Sequence, residues 1–118
     1  MQFRKLGSSD LNASALGLGC MSMSEFYGPI DHKEAEATLI RAIELGTNFF
    51  DTADFYGMGA NEELIGRVLK PHRDKIIIAT KFGLVRDPKN PKIRAVNGRP
   101  EYVKALSLIH ISEPTRPY

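Results

Sequence analysis

Three ionisable residues, Asp51, Tyr56 and Lys81, have side-chain types that could together donate a proton. A phenol has a pKa of about 10, so by itself it is a poor acid at neutral pH. A nearby ammonium group stabilises the phenolate and makes the phenol a stronger acid. A carboxylate can hold that ammonium charged and in place. Such a trio would protonate a carbonyl oxygen while a hydride adds to the carbonyl carbon.

The same residues also allow a purely structural interpretation. In it, Asp51 and Lys81 form an ion pair and Tyr56 is an ordinary loop aromatic. Asp51 and Lys81 each end an apolar run that predicts a strand, and Tyr56 lies in the loop after the first of these runs. Because parallel strands present their carboxyl ends at one face, the three side chains could converge despite their separation in sequence. Spacing alone leaves both interpretations open.

The sequence predicts two amphipathic helices, one before Asp51 and one between Tyr56 and Lys81. The spacing of apolar residues predicts a helix over 31–46, capped by Asp31 and stopped by a glycine, and a second over 61–70, capped by Asn61. Pro100 is suited to the first position of a third helix.

Short apolar runs alternate with these helices. The run at 75–80 has no polar alternation, which is typical of a strand buried on both faces. The polar, proline-containing stretch 83–99 predicts a loop. This alternation of strands and helices predicts an α/β fold with a parallel sheet. The predicted strands are a hairpin within 2–14, then 15–19, 48–51 and 75–80.

Composition excludes several classes of protein. The chain has 118 residues, 42% of them hydrophobic, which fits a single globular unit. Its net charge of +2 and the lack of a basic block argue against nucleic acid as a partner. No apolar run predicts a membrane span or a signal peptide. The lone cysteine, Cys20, then fits a reducing, cytoplasmic location. The three histidines lie far apart, so no metal site is expected.

The Gly17-Leu18-Gly19 segment invites comparison with a dinucleotide-binding fingerprint. Ser22 stands where the third glycine would be, and no helix follows at once, so a small nucleotide-binding fold is disfavoured. The alternative is a tight strand exit, where glycine lets two backbones approach. We also expect solvated side chains at Ser24, Glu25, Asp54 and the basic positions of 86–99.

Four segments, 16–21, 50–57, 61–62 and 78–81, resemble the N-terminal part of an aldo-keto reductase. The most specific of them contains Asp-Thr-Ala-x-x-Tyr-Gly. The resemblance covers residues 1–105 and is strongest to the plant and bacterial branch related to auxin-induced proteins and perakine reductase. It implies an incomplete (β/α)8 TIM barrel made of an N-terminal hairpin and about three βα units. It also implies reduction of small-molecule aldehydes or ketones to alcohols with NADPH and without a metal.

The resemblance also assigns roles to individual residues. It implies that Tyr56 donates the proton, that Lys81 makes its phenol more acidic, and that Asp51 supports the lysine. It places Cys20, Met21 and Asp51 where the family lines the nicotinamide-ribose pocket. The family completes this set with a histidine after the fourth strand.

Residues 106–118 have no counterpart in the family and are expected to be artefactual or disordered. His110 follows Lys81 too closely to be the family histidine, because a crossover needs at least about 10–12 residues beyond the predicted loop. A complete barrel needs about 250 residues. We therefore expect these 118 residues alone to be inactive and to aggregate through the apolar strand at 75–80. The alternative function is a non-enzymatic, truncated product with at most a binding role.

Overall fold

The structure is a computed structural model that describes residues 1–25, 28–87 and 89–106. The predicted tail lies outside these residues except for Leu106, and His110 lies outside them as well. The helices are α1 (His32–Glu44), α2 (Ala60–Leu69) and α3 (Pro100–Leu106). The strands are β1 (Phe3–Lys5), β2 (Asn12–Ser14), β3 (Leu18–Gly19), β4 (Phe49–Asp51), β5 (Ile77–Ala79), β6 (Leu84–Asp87) and β7 (Asn90–Val96).

Three parallel strands form the central sheet in the order β3-β4-β5. Gly19 is in register with Asp51, and Asp51 is in register with Ala79, so the three strands end together at one edge. Strands β1 and β2 pair antiparallel, which confirms the predicted hairpin. The alternation of parallel strands with α1 and α2 confirms the predicted α/β class.

Helix α1 begins and ends where its sequence predicts. The Asp31 carboxylate accepts hydrogen bonds from the backbone N–H groups of Lys33 and Glu34, at 2.8 and 3.2 Å. These bonds satisfy two amides that the first turn of a helix leaves without partners. Gly46, at φ +90°, takes the left-handed conformation that follows the last turn.

The prediction that Asn61 caps α2 is wrong. The helix begins one residue earlier, after Gly59, and Asn61 lies inside its first turn with no exposed surface. Asn61 shares the face of Leu64 and Ile65, which are three and four positions further on, so its side chain enters the core with theirs. The core satisfies this amide with hydrogen bonds of its own.

The predicted loop over 83–99 is also wrong, because β6 and β7 form an antiparallel ribbon there. Prolines argued for a loop, but a two-stranded ribbon has only edge strands, where the missing N–H of a proline is tolerated. A register shift between Arg86 and Asp87 accommodates the turn region. Helix α3 begins at Pro100, as predicted.

The core is built where α1 and α2 pack on the sheet. Its fully buried side chains include Leu39 from α1, Phe50 from β4, and Ile65 and Leu69 from α2. The expectation that β5 is buried on both faces is wrong, since all three of its residues are half-buried. Ile78 packs against this core, whereas Ile77 points to the opposite face of the strand.

Among the described residues, no helix has the length and apolar character of a membrane span.

Cys20 lies in the core with no exposed surface. Burial, reinforced by the charge of Asp51, raises the pKa of its thiol from an ordinary 9.0 to about 12. The protonated thiol therefore favours the native state below pH 9, and this contribution is lost as the pH rises from 9 towards 12.

We predict that iodoacetamide at pH 8 alkylates native Cys20 at least about a hundredfold more slowly than the urea-unfolded chain, because only an accessible thiolate reacts. Mass spectrometry of timed samples measures both rates. Cysteine placed at exposed Ser22 in a Cys20→Ala background is the matched control and should react at the same rate in native and unfolded chains. Equal rates for Cys20 in the two states would contradict its place in the core.

Candidate active site

Asp51 and Lys81 meet at the carboxyl edge of the central sheet. Lys81 Nζ donates to both carboxylate oxygens of Asp51, each at 2.8 Å, and to the backbone carbonyl of Thr52 at 2.7 Å. Asp51 is the last residue of β4, and Lys81 follows the neighbouring strand β5 by two positions. The parallel pairing of these strands therefore brings the two residues together.

Tyr56 lies in the loop that connects β4 to α2. The centre of its ring is 5.2 Å from Lys81 Nζ, which completes the convergence of the three residues. The loop is fixed to the end of β5, because Thr52 N–H donates to Ala79 O at 2.8 Å and Asp54 N–H donates to Lys81 O at 3.1 Å. The segment that carries Tyr56 is thus held by the backbone of the lysine beside it.

A sharp turn follows Tyr56. Gly57 has φ +58°, and a Cβ atom at this position would lie 3.1 Å from the side chain of Ser24 and 3.3 Å from that of Ala60. Met58 also adopts a positive φ, +52°, which is uncommon for a residue with a side chain. The turn brings the chain from Tyr56 directly into α2.

Lys81 is held as an ammonium ion. Burial lowers the pKa of Lys81, but the hydrogen bond and charge of Asp51, with a contribution from Tyr56, outweigh it and raise the pKa above its ordinary 10.5. The charged form therefore favours the native state at and below neutral pH, and the contribution is lost as the pH rises through the raised pKa. The Lys81 and Asp51 side chains are 48% and 45% exposed, so the pair contributes little to overall stability.

A buried amide supports this edge of the sheet. Asn61 Oδ1 accepts a hydrogen bond from Thr52 Oγ1 at 2.6 Å, and Asn61 Nδ2 donates to Cys20 O at 2.7 Å and to Ser24 Oγ at 2.8 Å. Cys20 N–H in turn donates to Asp51 O at 2.9 Å. One side chain thus links β3, β4 and α2. Its signal in the sequence was a polar residue on the apolar face of a helix.

Two further side-chain contacts hold the residues around Lys81. Thr80 Oγ1 donates to Glu62 Oε1 at 2.5 Å, and Glu62 is 3% exposed. Tyr102 Oη on α3 donates to Asp54 Oδ2 at 2.9 Å. Burial, with the bond to Asp54, raises the pKa of Tyr102 to about 12. Asp54 is therefore not the solvated residue that the sequence predicted, because the hydroxyl of Tyr102 replaces water at its carboxylate.

Glu25 and Arg86 form a second ion pair beside the loop. Arg86 Nη2 lies 2.7 and 2.6 Å from the two Glu25 carboxylate oxygens, and the two side chains are only 15% and 16% exposed. The Arg86 guanidinium carbon is 4.1 Å from the centre of the Phe55 ring. The expectation of solvated side chains at Glu25, Ser24 and Arg86 is therefore wrong. The ribbon of β6 and β7, where a loop was predicted, carries Arg86 to this partly buried position.

The residues expected to line a nicotinamide-ribose pocket differ in accessibility. Asp51 is half-exposed and Met21 is half-buried, whereas Cys20 has no exposed surface. Cys20 acts on the site through its backbone, as a donor to Asp51 and an acceptor for Asn61.

The tight strand exit expected at Gly17 and Gly19 is not observed: of these two glycines, only Gly17 makes a close approach, and it precedes β3, whereas the space around Gly19 is open. A Cβ atom on Gly17 would lie 2.7 Å from the Phe49 ring and 3.3 Å from the Phe49 carbonyl, so glycine is needed for the approach of β4. The chain then enters the single turn at Met21–Met23, where a dinucleotide-binding fingerprint would open a long helix.

Across the described ranges, no group of three or more His, Cys, Asp or Glu side chains could hold a metal ion.

Comparison with known proteins gives a consistent result. The sequence signature of the Aldo/keto reductase family matches residues 15–106. The chain is 42% identical over 108 residues to the Schizosaccharomyces pombe protein named aldo-keto reductase yakc, NADP(+), a match that covers 89% of this chain and 31% of that protein. It is 48% identical over 83 residues to an uncharacterised Bacillus subtilis oxidoreductase, YqkF, covering 70% of this chain and 26% of that one.

A solved structure supports the same relationship. The holo form of the aldo-keto reductase AKR11C1 from Bacillus halodurans superposes with a TM-score of 0.79 at 38% identity, and the match covers 93% of this chain and 36% of that one. The chain thus spans about a third of the length of these relatives. The family signature extends over more than three quarters of the sequence, from residue 15 to residue 106, and this chain belongs to the aldo/keto reductase family.

Proposed function

We propose that this chain carries the proton-donating part of an NADPH-dependent reductase of small aldehydes or ketones. The observation that carries the proposal is the convergence of three side chains at one sheet edge. Lys81 Nζ contacts both Asp51 carboxylate oxygens at 2.8 Å and lies 5.2 Å from the centre of the Tyr56 ring. An ion pair with no further role would not need a phenol held beside the ammonium.

In the proposed reaction, the Tyr56 hydroxyl donates its proton to the carbonyl oxygen of the substrate. The ammonium of Lys81 stabilises the phenolate that the proton leaves behind. Asp51 keeps Lys81 charged, consistent with the raised pKa of that lysine. NADPH, when bound, supplies the hydride that adds to the carbonyl carbon. The residues of this chain therefore position an acid and neutralise the charge that develops on it.

Met21 and Asp51 are the residues proposed to lie against the nicotinamide ribose. Both have accessible surface at the carboxyl edge of the sheet, and together they offer an apolar group and a hydrogen-bond acceptor, which suits a ring and a hydroxyl-bearing sugar. Cys20, fully buried, would support them from below. NADPH is favoured over NADH because the name of the Schizosaccharomyces pombe relative contains NADP(+).

Two finer assignments are part of the same proposal. Segments 16–21 and 50–57 favour the branch of the family related to auxin-induced proteins and perakine reductase. The single, buried, unpaired cysteine favours a reducing compartment, and we propose the cytoplasm.

We predict that residues 1–118 alone do not reduce carbonyl compounds. The described sheet has three parallel strands, whereas the barrel of this family has eight, and the family histidine follows a fourth strand. Absorbance at 340 nm measures NADPH oxidation with a model aldehyde. Steady oxidation by the purified chain that disappears in Tyr56→Phe would contradict the prediction, whereas oxidation that persists in this variant would identify a contaminating reductase.

In a complete barrel, formed by joining residues 1–106 to the remaining part of a reductase of this family, Tyr56→Phe should abolish reduction. It removes only the acidic hydroxyl, so kcat should fall by at least about a hundredfold while NADPH still binds. Steady-state kinetics measures the first effect and NADPH fluorescence the second. A variant that keeps most of its turnover would refute the assignment of Tyr56 as the proton donor.

Lys81→Met in the same barrel should lower kcat by about a hundredfold or more, since the phenolate loses its neighbouring cation. Lys75→Met is the matched control, because Lys75 is an exposed lysine before β5 and should leave kcat within about twofold of the parent. Equal turnover in the two lysine variants would show that Lys81 has only a structural role.

A further inference from the structure

Phe55, the residue immediately before Tyr56, is covered by the β6–β7 ribbon. Phe55 is 7% exposed, and two arginines of the ribbon approach its ring, with guanidinium carbons 4.1 Å (Arg86) and 5.7 Å (Arg94) from the ring centre. A guanidinium over an aromatic face is attracted by the negative charge density of the ring. The ribbon is therefore placed on the very loop that presents the proposed proton donor.

The two arginines bring like charges close together. Arg86 and Arg94 are paired in register across the antiparallel ribbon, so both project from the same face. Like charges directly opposite each other destabilise a strand pair unless an anion offsets them. Glu25 provides that anion to Arg86 at 2.6 and 2.7 Å, and the low exposure of both side chains strengthens the attraction relative to a surface pair.

Glu25 is itself fixed to the frame of the site. Its backbone N–H donates to Met21 O at 3.2 Å, which places it at the end of the turn that follows β3. Its neighbour Ser24 accepts a hydrogen bond from buried Asn61 at 2.8 Å. The ion pair therefore connects the ribbon to the part of the chain that also holds Thr52 and Asp51.

We infer that Glu25 and Arg86 are positioning residues of the proposed reductase, and that their ion pair clamps the β6–β7 ribbon onto Phe55 and fixes Tyr56 beside Lys81. Neither residue touches the reacting atoms in this role. This inference rests on the proposed function of Tyr56 and adds the device that holds it. We call Glu25, Arg86 and Phe55 the clamp.

The test compares turnover in the complete barrel carrying residues 1–106. Glu25→Gln and Arg86→Gln should each lower kcat by about tenfold or more, because a displaced proton donor reacts far more slowly. The Kd for NADPH should stay within about twofold. The double variant should be no slower than the slower single variant, since either change alone opens the clamp.

Two controls separate positioning from general destabilisation. Arg41→Gln removes an ion pair of similar length, 2.9 Å, that is 66% and 56% exposed on α1, and it should leave kcat within about twofold. Turnover is expressed per NADPH-binding site, so unfolded molecules do not count. Arg86→Lys keeps a cation beside Glu25 and Phe55 and should retain most of the turnover that Arg86→Gln loses.

The outcomes distinguish this inference from the proposed function. If Tyr56→Phe abolishes turnover but both single clamp variants stay within about twofold of the parent, the clamp is overturned and the proposed function stands. Losses in Glu25→Gln and Arg86→Gln that multiply in the double variant would also overturn it, because the residues would then act separately. If Tyr56→Phe keeps its turnover, the proposed function fails, and the clamp fails with it.

Discussion

The contact of Lys81 with Asp51 depends on the register of two neighbouring parallel strands. Asp51 is paired with Ala79, and Lys81 stands two residues beyond, so the lysine reaches back to the carboxylate across the sheet edge. A shift of one residue in either strand would turn these side chains to opposite faces. The contact of Lys81 with Asp51, and the place of Tyr56 beside it, therefore depend on this register.

Register is maintained by burial rather than by the ion pair. The pair is about half-exposed and contributes little free energy of folding, whereas Phe50, which precedes Asp51, is fully buried beneath α1 and α2. Asn61 makes this packing more specific, since its buried amide can form hydrogen bonds with Thr52, Cys20 and Ser24 together in only one arrangement. Apolar packing thus fixes the register of the strands, and the Asn61 amide fixes the positions of the residues that follow β3 and β4.

Sequence reasoning predicted the parts that depend on local chemistry. The cap at Asp31, the start of α3 at Pro100 and the close approach at Gly17 each follow from one residue type and its immediate neighbours. The convergence of Asp51 and Lys81 was also predictable, because parallel strands present their carboxyl ends together.

The remaining features depend on contacts between residues distant in sequence. The ribbon over 84–96 was not predicted, because prolines in this stretch favoured a loop. The burial of Glu25 depends on Arg86, which lies 61 positions away. Likewise, the hydroxyl that contacts the Asp54 carboxylate belongs to Tyr102 on α3, 48 positions away. No spacing rule in the sequence connects such pairs. Sequence reasoning therefore cannot tell which polar residues of a predicted loop are solvated and which are buried.

The orientation of the Asn61 amide has a consequence for how this site could change through evolution. One end of the side chain only accepts hydrogen bonds and the other only donates them. The amide therefore requires a donor at Thr52 and acceptors at Cys20 and Ser24. An ionised aspartate has nearly the same shape but offers acceptors at both ends, and it would face the Cys20 carbonyl with no hydrogen to share. An Asn61→Asp exchange, which a single-nucleotide change can produce, would thus set two oxygens against each other in the core. Drift at this position is therefore constrained by the direction of its hydrogen bonds as well as by the volume of the core around it.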